Sequence, residues 1–75
     1  MDWQKTIMEK ISVGDYIKVV RILIPSGDPE IRNELAGKYV GNIYEVNEVM
    51  ETNSGKEFRC IDSGIIFMEG EVERQ

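Results

Sequence analysis

What most constrains this chain is the shortness of its apolar runs. Each stretch rich in β-branched and aromatic residues is cut off early by a turn former. Residues 16–24 end at Pro25, and residues 39–50 carry Gly41 near their start. Residues 57–61 lie between Gly55 and Gly64, and residues 65–68 stop before Gly70. Strands of this length joined by glycine-bearing turns indicate a small β-barrel rather than a helical bundle or a layered α/β sheet.

Within the first run, Ile17 and Val19 are expected to face the core and Lys18 the water. Val20, Ile22 and Ile24 make the far end apolar on both faces, so another element must cover one of them. Ile43, Val46 and Val49 recur every three residues, a spacing a helix also shows. The Val, Ile and Tyr content and the nearby glycine favour a strand over residues 39–50, with a bulge or close backbone approach at Gly41. Residues 51–56 read as a hairpin turn with Gly55 at positive φ, and residues 62–64 as a second tight turn. Residues 69–71 form a short turn or a single helical turn, and Val72 opens a last short strand.

Two short helices are expected. Over residues 2–10, Asp2 is placed as a cap, and Trp3, Ile7 and Ile11 recur at helical spacing with Met8 beside them. So short a helix needs a surface to dock on, and the segment 1–12 is expected to pack as a lid over one end of the barrel. The other helix lies in the first long connection. Asp28 is its N-cap, Pro29 its first residue, Glu30 sits at the positive end of the dipole, Ile31 and Leu35 share a face, and Gly37 supplies a left-handed stop.

With 75 residues the chain makes one domain, 1–75, with a small core. Its single cysteine, Cys60, has no internal disulfide partner, and no apolar run is long enough for a transmembrane helix. The cytoplasm is the expected compartment, with no membrane association. The net charge of −5 is placed unevenly: residues 1–38 sum to zero, and residues 39–75 carry the whole excess of acid. That field repels phosphate backbones and favours a basic partner, or it serves as a solvated acidic face.

The order of these elements carries a resemblance. Val13-Gly14-Asp15-Tyr16-Ile17-Lys18-Val19 resembles the opening of SH3-like barrels. Gly37-Lys38-Tyr39-Val40-Gly41, followed by Ile43 and Glu45-Val46, is similar to the glycine-lysine stretch of KOW-type barrels. The close, residues 66–73, is similar to the aromatic strand, acidic turn and short final strand of those proteins. The likeness extends to small SH3-like proteins of Gram-positive phages, prophages and their hosts. It implies a mainly β fold: a small five-stranded SH3-like barrel with a short N-terminal helix and a short helix in the first long loop. The signature of polyproline-binding SH3 domains is missing, so that ligand is not implied.

The sequence holds no histidine, the commonest general base and zinc ligand. A lone cysteine in an alternating strand reads as a buried structural thiol. Glu45, Glu48 and Glu51 recur every three residues, and Glu69, Glu71 and Glu73 every two, which on a strand would align three carboxylates on one face. A solvated face is the expected role for them, ahead of a metal site or a contact for a basic partner. No phosphate-binding glycine motif is present. The expectation is therefore a non-catalytic binding module that needs no cofactor and no metal, monomeric by default, with a protein partner. Aromatic and arginine side chains anchor interfaces, which singles out Tyr16, Arg32, Tyr39 and Tyr44. Each tyrosine has a plainer role open to it, sealing a barrel end with its hydroxyl in water. One rival is a KOW-type nucleic-acid module using Lys18, Arg21, Arg32 and Lys38. Another is a phage-encoded acidic inhibitor of a host nucleic-acid-binding protein.

Overall fold

A computed structural model describes residues 10–23, 27–53 and 55–75. The helix expected over residues 2–10 lies almost wholly outside them. Lys10 carries no helix, and Ile11 packs half-buried against the core.

The elements run β1 (Tyr16–Val19), α1 (Pro29–Tyr39), β2 (Ile43–Thr52), β3 (Gly55–Cys60), β4 (Ile66–Met68), a 3-10 turn (Glu69–Glu71) and β5 (Val72–Arg74). The five strands form one antiparallel sheet in the order β4-β3-β2-β1-β5. Its core joins Ile17 and Val19 of β1, Val46 of β2, Phe58 and Cys60 of β3, Phe67 of β4 and Val72 of β5, with Ile22 and Tyr39 from the connection. Lys18 points to solvent, as its place between two core residues demands.

The long strand β2 serves two ladders. Residues 43–45 pair with β1, and from Val46 onward the strand pairs with β3. The register shifts by one residue between Val46 and Glu48, because Val46 lies opposite Cys60 and Glu48 opposite Arg59, leaving Asn47 as the extra residue of a bulge. That explains the three-residue spacing of Val46 and Val49, while Ile43, the first of the recurring residues, is exposed. Val46 faces buried Cys60, and Val49 faces buried Phe58. The two partners are two apart on β3, so the bulge adds one residue to the spacing on β2. Of the two roles expected for Gly41, a bulge or a close backbone approach, the bulge falls at Asn47 instead.

Gly41 has another task. Its φ of 95° lets the chain reverse after α1, and its amide donates to the Val19 carbonyl at 2.8 Å. The helix runs past Gly37, expected to stop it, and takes in Tyr39, expected to open a strand; Val40 is its C-cap. Its start follows the sequence: the Asp28 carboxylate accepts from the amides of Glu30 (3.0 Å) and Ile31 (3.3 Å), with Pro29 behind it. At the hairpin, Gly55 has φ 115° and lies opposite Thr52.

Strand β1 ends at Val19, well short of residue 24. Beyond Val19 the amides turn out of the ladder, those of Val20 (2.9 Å) and Arg21 (3.3 Å) donating to the Glu71 carbonyl. Ile22 is still buried, so the apolar tail meets the core as an irregular strap. Among the described residues no helix is long and apolar enough to cross a membrane.

Candidate functional site

The connection from β1 to β2 is the largest departure from a plain sheet, and α1 is its centre. Leu35, Ala36 and Tyr39 turn inward and hold the helix on the core. Residues 30–34 are all exposed, including Arg32 and the apolar Ile31, which is 47% exposed. The shared face expected for Ile31 and Leu35 is thus divided: Leu35 packs and Ile31 is left to solvent.

The sequence-derived candidates fall into three places. Tyr16 is exposed on the outward side of β1, opposite Glu45 of β2. Arg32 stands on the outward side of α1. Tyr39 and Tyr44 come together beneath the turn at Gly41, their rings 6.5 Å apart. Tyr39 is only 6% exposed and meets Phe67 edge-on at 5.8 Å, while the half-buried Tyr44 stacks on Phe67 at 5.6 Å. The Asn42 side-chain amide donates to the Tyr44 hydroxyl at 3.0 Å and to the Lys38 carbonyl at 3.1 Å, which ties this cluster to the helix end. The Lys38 ammonium lies 5.4 Å from the centre of the Tyr39 ring. These two tyrosines are packing residues, and the exposed candidates are Tyr16 and Arg32.

The carboxylates also separate. Glu48 pairs with Arg59 at 3.7 Å and Glu51 with Lys56 at 4.0 Å, both on the surface. Glu69, Glu71 and Glu73 do not share a strand face, because Glu69 and Glu71 belong to the 3-10 turn and Glu73 to β5. Among the described residues no group of three or more His, Cys, Asp or Glu is arranged to hold a metal ion.

Glu71 is the residue that sequence reasoning missed. It is buried, and its carboxylate accepts from the amide of Leu23 at 2.6 Å and that of Met68 at 2.7 Å. Its carbonyl takes the amides of Val20 and Arg21, and the Arg21 guanidinium donates to the neighbouring Gly70 carbonyl. One residue thus binds four backbone amides and fastens the strap 20–23 to the end of β4. No sequence clue pointed to it: a glutamate beside a core valine alternates outward on a strand and is solvated in a turn, and its partner Leu23 lies far along the chain.

Two open clefts flank β4. One, of about 220 Å³, lies among Ile22, Leu23, Leu35, Ile65, Ile66 and Met68, with Glu71 also in its wall. The other, of about 360 Å³, is lined by residues that include Cys60, Ser63, Ile65 and Ile66. Burial pushes the Cys60 thiol above its ordinary range, so its reactive thiolate form is disfavoured.

The chain matches no protein-family model, no curated protein and no solved structure.

Proposed function

We propose that this protein is a non-catalytic protein-binding adaptor or regulator on an SH3-like barrel, and that it meets its partner through the outward side of α1. The observation that carries this reading is the helix itself. It is capped, anchored by Leu35, Ala36 and Tyr39, and presents Ile31 beside Arg32 in water. A rigid helix with an apolar residue next to an arginine offers anchors of the kind that dominate binding energy. The barrel reading is supported by the strand order, by the bulged β2 shared between two ladders, and by the 3-10 turn leading into the last strand. Full closure of the sheet and the KOW-related kinship belong to the proposal.

The nucleic-acid reading has less support. Arg21 is engaged by the Gly70 carbonyl, Lys18 lies opposite Glu73, and Lys38 sits at the Tyr39 ring.

The test is affinity capture from a Gram-positive lysate, with and without nuclease, comparing the natural protein with Ile31→Glu and Arg32→Ala. Both positions are exposed, so both variants should fold. One protein retained after nuclease and lost with either variant is the expected result. Capture abolished by nuclease, or unchanged in both variants, defeats the proposal.

A further inference from the structure

The edge of the sheet at β4, the last strand in the order among the described residues, carries an inference about a different surface. Met68 pairs with Glu57, Phe67 with Phe58 and Ile66 with Arg59 across the β3–β4 ladder. The Met68 amide donates away from that ladder, to the Glu71 carboxylate. In an antiparallel strand the polar groups of alternate residues point the same way. Phe67 therefore bonds toward Phe58, and the N–H and C=O of Ile66 point outward, away from β3. β4 ends the strand order, so among the described residues no strand covers them. The two clefts meet at this point, with Ile65 and Ile66 in the wall of both and Ile66 43% exposed.

An edge with an outward donor and acceptor, set between apolar clefts, fits an extended chain. Such a strand adds main-chain hydrogen bonds to the edge and drops alternate side chains into the clefts. A second copy of this protein is the poorer occupant, since each copy carries −5. Exposed Asp62 lies in the turn before β4 and exposed Glu69 directly after it, so both ends of the edge are acidic. The structure assigns this edge to an extended peptide with apolar residues in alternation and basic residues at its ends. The inference rests on the protein-binding reading but on a surface separate from Ile31 and Arg32.

The experiment is a titration followed by amide chemical shifts at low salt. The probe is the acetylated, amidated peptide Lys-Val-Thr-Val-Thr-Val-Lys. Its comparators are the same peptide ended with Glu, and two forms N-methylated at one or the other set of alternate residues. Saturable shifts over residues 64–68 are expected, with the Glu-ended peptide at least fivefold weaker. One methylated form should lose binding at least tenfold and the other should keep it, because a single edge of the peptide pairs. Ile66→Pro removes the outward N–H on an edge strand, where proline is tolerated, and should also lose binding at least tenfold. The peptide variants decide the matter even if that protein variant fails to fold. Absent binding, equal binding of Lys- and Glu-ended peptides, equal effects of the two methylation patterns, or dimerisation of the protein through β4 overturns the inference. If it is overturned while capture still depends on Ile31 and Arg32, the edge is discarded and the protein-binding reading stands.

Discussion

A single glutamate shows how residue type and residue role part company. Exposed carboxylates are the rule in a chain of this charge, yet Glu71 is buried, with both carboxylate oxygens occupied by amides. Hydrogen bonds to a charged acceptor are stronger than neutral ones, and a buried amide left without a partner costs free energy outright. Glu71→Ala should therefore destabilise the protein by about 2–4 kcal/mol, read as a lower urea midpoint, with the amides of Leu23 and Met68 losing protection from exchange. Glu71→Gln keeps one acceptor and turns an N–H toward an N–H, so it should lie between that variant and the natural protein. Cys60 makes a second residue-scale case. Burial raises its thiol above the ordinary value of 9.0. As pH climbs past that value, the unfolded chain loses the proton while the folded chain keeps it, so stability falls. Cys60→Ala should remove that part of the decline, and comparing the unfolding of the two proteins between neutral and alkaline pH checks it.

Among the elements, β2 was the hardest to read and α1 the easiest, for physical reasons. The start of α1 is written in local chemistry, since Asp28 and Pro29 act on amides within three residues of themselves. Its end was misplaced because Gly37 is a permissible stop, while packing of Tyr39 on Phe67 rewards two further residues of helix. The three-residue rhythm of β2 looks helical until Asn47 is seen as an extra residue facing no partner. Deleting Asn47 would leave Val46, Glu48 and Val49 opposite Cys60, Arg59 and Phe58 in unbroken register, but would remove the local bend by which β2 passes from the β1 ladder to the β3 ladder. The expected outcome is a lower urea midpoint for the deletion, whereas Asn47→Ala, which keeps the residue count and the bulge, should stay near the natural protein. The strap 20–23 was read as strand because its residues favour one, but its amides are taken by Glu71.

For the whole molecule, the charge is the property that acts at range. The net −5 arises entirely in residues 39–75, which hold four of the five strands. The ion pairs Glu48–Arg59, Glu51–Lys56 and Asp15–Arg74 are at or near the surface, and such pairs contribute little. Screening should then relieve more repulsion than it costs in attraction, so the melting temperature should rise with added sodium chloride. A steady fall would show that the surface pairs matter more than the net charge. The sequence by itself determined the strand-rich fold, the turns, the helix cap, the inward place of Ile17 and Val19 and the buried thiol. All of these follow from interactions among near neighbours or from a two-residue alternation. Only the tertiary structure decided which tyrosines are buried, which carboxylate is internal, where the bulge falls and which strand ends the sheet. Those depend on partners far along the chain: Phe67 for Tyr39 and Tyr44, Leu23 for Glu71, and Cys60 and Phe58 for Val46 and Val49. No local pattern records such contacts, because their energy exists only once the sheet has brought the segments together.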